Sequence, residues 1–418
     1  MAVGRLDRQL RIPEWRQEIL SRACLGVVGD GDLLTSLFLL SAAALGINEV
    51  RVIAPQLDGR FSRMAQALNP DWRLNHLTGY CTHPLCIEAL RHCHPLVDLS
   101  RYGLASKILL EQAFQKRLTV VRGHCWQANG DQGFAIFTYQ RGREWLDLRE
   151  VLPARQLPSA TPHKLDAVLD IIVAGIMLEE VKTILMTGQS SAEVSAYQGP
   201  GWAGGEHEPA LGIVGAGALG NFVGLGLALA GYRRLTFIDP DIIEVTNLNR
   251  QIFFGGAVGA GKAPTLAARL NQDFNTTAQY VMDYFQEQEL TSFDLLFDCV
   301  DNFASRIALS EACAAHKIPL ISGGTNVSQG QVVAFHPSWQ PQTPAALLGL
   351  YELEQTRERE DRRRTRAACL YQPNPAVIMT NAVIGGFMVE AARHLLAGMP
   401  WPALLYDATI PHKIGRVD

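Results

Sequence analysis

Four blocks recur in the same order in the two halves of the chain, and that recurrence restricts the fold more than any single residue does. LGVVGDGDLL, an apolar helix and VRVIAP in the first half answer LGIVGAGALG, an apolar helix and LTFIDP in the second. Each reads as strand, glycine turn, helix, strand, the βαβ unit that opens a doubly wound sheet. Further on, PLVDLSRYGLASKILL sits against LLFDCVDNFASRIALS, and LTVVRGHCWQANGDQGFAIF against LISGGTNVSQGQVVAF. The last pair is IIVAGIMLEEVKTIL and AVIGGFMVEAARHLL, a helix late in each unit. Two independently evolved domains would not share this order. The expected class is therefore α/β, with two Rossmann-like doubly wound domains in one chain, an internal degenerate duplication. Residues 1–186 form the first half and 211–418 the second in this reading. The Gly- and Ser-rich stretch 187–210 lacks periodicity and reads as a linker.

The two copies are not chemically equivalent. Gly220, Asp239 and Asp301 of the second half face Leu34, Ala54 and Arg101 in the first. These replacements remove a close-approach glycine and two carboxylates that could face a nucleotide. The first half is expected to be a structural partner without a site of its own.

Composition narrows the partners. A formal charge of -4, from 37 basic and 41 acidic residues, supplies no global field for nucleic acid or an anionic membrane, so neither is an expected partner. The N-terminus lacks the apolar core of a secretory signal, and no stretch reaches the roughly 18 apolar residues of a membrane span. A cytoplasmic location is the default expectation. Eight cysteines without a CxxC pair read as reduced thiols. The stretch CTHPLCIEALRHCHP, with His83, His92 and His94, matches no common zinc spacing, so no structural zinc is expected.

A glycine turn alone does not choose between NAD and ATP. Gly215 allows the tight turn, Gly217 lets phosphate reach backbone N–H groups, and Gly220 permits close helix packing. Asp239 follows at the end of the next strand, where a carboxylate can hold ribose hydroxyls. What comes next is unlike a dehydrogenase. Asn247, Arg250 and Lys262 lie just beyond it, and FDCVDN adds Asp301 and Asn302 after another apolar strand. Hydride transfer needs no second cation cluster, whereas attack on the α-phosphate of ATP must neutralise a triphosphate and its leaving group. Arg250 and Lys262 suit that task, and Asp301 suits Mg²⁺.

DPDIIEVTNLNRQ followed by GxGK, and DCVDNFASR followed by IPLISGG, resemble the adenylation domain of the ubiquitin-activating superfamily, which includes the molybdopterin and thiamine sulfur-carrier adenylyltransferases. The resemblance covers residues 211–396 in order. It implies that Asp239, Asn247, Arg250, Lys262 and Asp301 bind ribose, phosphates and Mg²⁺, and that ATP is consumed. RLDRQ resembles the family's RYxRQ opening, whose second arginine reaches the partner's site; here that is Arg8, able to serve in cis because the halves are fused. The implied molecule is a monomer built as an intramolecular pseudo-dimer, or a higher homo-oligomer of it. Many relatives carry two CxxC pairs for zinc, and this chain has none.

The resemblance also implies the substrate, the C-terminal carboxylate of a ubiquitin-like β-grasp protein, with a conjugating-enzyme-like protein as a further partner. Adenylation of a sulfur-carrier or peptide C-terminus without a thioester is the alternative, and a non-catalytic nucleotide-binding scaffold is a third. Few residues follow the late helix, enough for one closing strand and a tail, which leaves no room for the ubiquitin-fold domain of eukaryotic relatives. Cys369 is the candidate thioester nucleophile. It lies in the segment 336–373, which resembles the crossover where thioester-forming relatives place their cysteine. The preceding Glu358/Arg362 and Glu360/Arg364 pairs support an exposed helix, and Arg362, Arg363, Arg364 and Arg366 would stabilise a thiolate.

Overall fold

The computed structural model describes residues 4–140, 166–190, 194–202, 208–356 and 374–417. Two sheets built to one plan account for most of them. The first runs β3-β2-β1-β4-β5-β6-β7, from β1 (Cys24–Val28), β2 (Glu49–Ala54), β3 (Arg73–Thr78), β4 (Leu96–Asp98), β5 (Val120–Ala128), β6 (Asp131–Tyr139) and β7 (Ser195–Pro200). The second runs β10-β9-β8-β11-β12-β13-β14-β15. Its strands are β8 (Leu211–Val214), β9 (Leu235–Ile238), β10 (Gln279–Val281), β11 (Leu295–Asp298), β12 (Leu320–Thr325), β13 (Gln329–Phe335), β14 (Ala403–Asp407) and β15 (Ile414–Val417). In each sheet the pairs among the first five strands in this order are parallel and the rest antiparallel. The order doubles back at β1 and β8, the switch point where open α/β sheets bind ligands.

Strand for strand, β7 matches β14. The segment read as a linker therefore contains the closing strand of the first sheet, paired with β6 through Ser195–Ile136 to Pro200–Asp131. SAYQGP escapes sequence recognition because only Ser195 and Tyr197 are buried, a period too short and too polar to register as a strand. The C-terminal stretch expected to give one strand gives two, β14 and β15.

The helices used below are α1 (Leu33–Leu45), α2 (Gly103–Lys116), α3 (Ala167–Thr187), α4 (Ala218–Leu229), α5 (Lys262–Phe274), α6 (Phe303–His316) and α7 (Ile378–Leu396). The late helices α3 and α7 are apolar nearly all round, as helices buried on every side must be. They pack on each other across the seam. A Cβ on Gly175 would meet Val383 at 2.9 Å, and one on Gly386 would meet Ile172 at 2.4 Å. In the repeat Gly175 corresponds to Gly386 and Ile172 to Val383, so the contact is reciprocal, as a twofold interface requires. One apolar core runs through both halves, from Leu25 and Phe38 to Phe222 and Phe387. Among the described residues no helix is long and apolar enough to cross a membrane.

Candidate active site

The second glycine turn joins β8 to α4. Gly215 sits at φ +98°, and a Cβ there would lie 2.6 Å from the Cys299 carbonyl oxygen, so only glycine fits. A Cβ on Gly220 would lie 2.1 Å from the Gly215 carbonyl oxygen, which is how the helix comes so close to its turn. Gly217 is different. It caps α4, and its missing side chain leaves open space, with Gln251 Nε2 the nearest atom at 3.9 Å. Open room at a helix N-terminus suits phosphate.

Asp239, just past β9, is buried and accepts two backbone N–H groups, Ala216 at 2.7 Å and Asp241 at 2.8 Å. Burial pushes its carboxyl above the usual range, while the charge of Lys262 and the two amides pull it back. The carboxylate thus holds the glycine turn in shape and keeps further lone pairs free to accept hydrogen bonds. Lys262 opens α5 and pairs with the exposed Asp241 at 2.6 Å. Asn247 is buried, and its Oδ1 accepts the Glu244 amide at 2.9 Å in a capping box, which leaves its amide hydrogens to be offered. Asn302 likewise uses its Oδ1 to cap α6, accepting the Ser305 amide at 2.8 Å.

Arg250 is held from two sides, donating to the Thr246 carbonyl and to Asn249 Oδ1, both at 2.8 Å. Burial and, less, the positive charge of Arg8 lower its pKa to about 10, against the opposing charges of Asp301 and Glu244. Arg8, from the N-terminal arm, and Asp301 are thus near enough to Arg250 for their charges to act on it. Arg8 donates to the Asn374 carbonyl at 3.2 Å, and its Nε is buried without a hydrogen-bond partner in the described residues, a donor left for a ligand. Asp301 is exposed. A single accessible carboxylate is what Mg²⁺ needs when phosphates and water complete its shell, so the residues present fit that ion.

Three residues were not singled out by sequence reasoning. Asn221 on α4 donates to the Ala216 and Gly217 carbonyls at 3.0 and 2.8 Å and accepts the Phe253 amide at 3.0 Å, tying the glycine turn to the NLNRQ loop. Gln9 and Asn249 join across the halves at 3.1 Å. Gln9 and Asn249 stood inside the RLDRQ and NLNRQ motifs, but nothing local distinguishes them from their neighbours. Cys369 and the arginines before it lie outside the described residues.

The ThiF family matches residues 208–411. Over 197 residues the chain is 30% identical to the sulfur carrier protein ThiS adenylyltransferase of Escherichia coli, covering 46% of this chain and 73% of that protein. It is 37% identical over 131 residues to the molybdopterin-synthase adenylyltransferase of Escherichia coli, 29% of this chain and 52% of that one. It is also 32% identical over 184 residues to the adenylyltransferase and sulfurtransferase MOCS3 of Sus scrofa, 42% of this chain and 35% of that one. Of the MOCS3 proteins of Aedes aegypti, Sus scrofa and Mus musculus it spans 30%, 35% and 29% of their length. With a model of the family over residues 208–411 and 73% of the Escherichia coli ThiS adenylyltransferase covered at 30% identity, the chain belongs to the ThiF family, within the ubiquitin-activating superfamily.

Proposed function

We propose that the second half uses ATP to adenylate the C-terminal carboxylate of a ubiquitin-like β-grasp protein of the sulfur-carrier kind. The observation that carries this is the open helix N-terminus at Gly217, whose turn is held by the buried Asp239 through the Ala216 amide at 2.7 Å. Phosphates would rest on the N-terminus of α4, with the ribose on Asp239. The incoming carboxylate oxygen attacks the α-phosphorus, the bond to the bridging oxygen breaks, and pyrophosphate leaves with the electron pair. Arg250, Lys262 and Arg8 face the charge that grows on the leaving group, where preorganised donors act most strongly. Mg²⁺ on Asp301 would neutralise part of the triphosphate charge. The names of the relatives, adenylyltransferases of sulfur-carrier and molybdopterin-synthase systems, support this reading.

A subsequent thioester is the finer proposal. Burial pushes the thiols of Cys24, Cys81, Cys93, Cys125, Cys299 and Cys313 upward, which suppresses the nucleophilic thiolate at each. Of the two others, Cys86 and Cys369, the second lies in the segment that resembles the crossover of thioester-forming relatives and is the better candidate, with a conjugating-enzyme-like protein as the acceptor. The test combines enzyme, Mg-ATP and a panel of β-grasp proteins, reading pyrophosphate exchange and then non-reducing gels. Exchange that depends on a carrier ending in a free carboxylate is expected, and its absence across the panel would remove the carrier assignment. A thiol-sensitive adduct lost in Cys369→Ala supports the thioester. Exchange without any adduct leaves adenylation as the whole reaction.

A further inference from the structure

Asn249 lies fully buried at the seam between the halves, and the adenylation chemistry gives it no role. Its Nδ2 donates to Gln9 Oε1 at 3.1 Å, on the N-terminal arm, and to the Ala376 carbonyl at 3.0 Å, on the segment entering α7. Its Oδ1 accepts from Arg250 Nη1 at 2.8 Å. The neighbouring Asn247 satisfies itself locally, against Glu244 of its own turn. Asn249 instead reaches two segments distant in sequence.

Each of those segments also touches Arg8. Gln9 is the next residue along the arm, fully buried, and its Nε2 donates to the Gln17 side chain at 2.5 Å and the Leu45 carbonyl at 2.8 Å. This fixes the backbone from which Arg8 projects. Asn374, two residues before Ala376, accepts from Arg8 itself. One side chain therefore restrains the guanidinium of the second half directly and that of the first half through its neighbours. The like charges of half-buried Arg8 and buried Arg250 oppose each other, so holding both in place is helped by such restraint.

We propose that Asn249 is a positioning residue, which aligns Arg250 directly and Arg8 through Gln9 so that both guanidinium groups meet the triphosphate in one geometry. The inference rests on the proposed use of ATP, and the test separates the two. A non-hydrolysable ATP analogue with Mg²⁺ is titrated calorimetrically into the full chain as wild type, Arg8→Ala, Asn249→Ala and the double variant, with unfolding midpoints recorded for each. Asn249→Ala alone should weaken binding roughly tenfold, and in the Arg8→Ala background by no more than about threefold, the non-additivity expected of groups in one network. Fully additive losses would overturn the proposal, because a merely structural asparagine has no reason to act through Arg8. Gln9→Met keeps the size of the side chain and removes the link to Asn249, so it carries the same cycle should Asn249→Ala fail to fold. In that variant all of the loss should vanish once Arg8 is alanine. Wild type that binds no analogue overturns the ATP reading and this inference together. Wild type that binds it without carrier-dependent exchange loses only the carrier, and the cycle still decides.

Discussion

At Gly217 in the second half an added Cβ would find nothing nearer than 3.9 Å, whereas at the matching Gly31 in the first half it would lie 2.0 Å from the Gln56 carbonyl oxygen. The chain thus crowds the first turn and leaves the second open. The first turn also carries Asp30 and Asp32, which would repel a nucleotide. Arg101, at the position of Asp301, turns inward and lies 3.3 Å from both Asp32 and Asp170. Asp30 in turn accepts the Ser100 hydroxyl at 2.7 Å and the Arg101 amide at 2.9 Å. At this turn the first half thus places a network of linked charges where the second half has open space.

The comparison breaks most easily at positions 101 and 301. Asp301 is exposed, so Asp301→Ala should leave the fold intact while lowering pyrophosphate exchange by about a hundredfold or more, the scale of losing one preorganised transition-state group. Arg101→Ala should do the opposite. Removing it takes the cation partner from Asp32 and Asp170, at a cost of about 3–5 kcal/mol in urea unfolding, with exchange little changed below the melting range. Equal losses of exchange from both would mean that the first half also takes part in nucleotide binding.

A subtler difference sharpens the same contrast. Both repeats bury a carboxylate at the end of the fourth strand, Asp98 and Asp298, and pair it with arginine. The arginines come from different places. In the first half Arg122 on β5 donates to Asp98 at 2.6 Å, while the helix position holds Ser106. In the second half Arg306 on α6 donates to Asp298 at 3.1 Å, and the strand position holds Ser322, which donates to the same oxygen at 2.6 Å. Arginine and serine have exchanged places. Arg122→Ser should cost about 3–5 kcal/mol, since Asp98 is wholly buried and loses its cation. Adding Ser106→Arg should recover about 1 kcal/mol or more by coupling between neighbours. A double variant no more stable in urea than Arg122→Ser would show that the two arrangements are not interchangeable.

That exchange also marks where sequence reading stops. The repeated blocks were legible because strand and helix periods survive substitution, and the two sheets follow the order they implied. The turn through Gly215 and Gly220 was legible because glycines at that spacing between a strand and a helix point to a tight turn and a close helix approach. Position-by-position comparison sets Ser106 against Arg306 and Arg122 against Ser322, and sees two mismatches where the fold has one conserved pair. Asn249 and Gln9 gain their roles only through contacts across the seam. β7 was missed because an edge strand with two buried residues carries little hydrophobic signal.

The smallest expected effect concerns Asp170, which α3 buries beneath Arg101, and whose counterpart in the second half is the neutral Asn381. Burial pushes the Asp170 carboxyl up to about 7 from an ordinary 3.8, against the pull of Arg101 and helped by the charge of Asp32. Between those two values the folded protein holds a proton that the unfolded chain releases, so stability falls as pH rises from about 4 to about 7 and this contribution then levels off. The slope from one such group is at most about 1.4 kcal/mol per pH unit. Asp170→Asn installs the residue of the other repeat and cannot ionise, while Arg101 keeps Asp32 as its partner. Other buried carboxyls raised in the same way, among them Asp30, Asp239 and Glu390, contribute equally to both proteins and cancel in the difference. Urea unfolding at pH 5, 6, 7 and 8 should therefore show a shallower decline for Asp170→Asn than for wild type, with exchange activity unchanged because the group lies in the closed half. Parallel declines in the two proteins would show that Asp170 is ionised throughout, with Arg101 and not burial setting its charge.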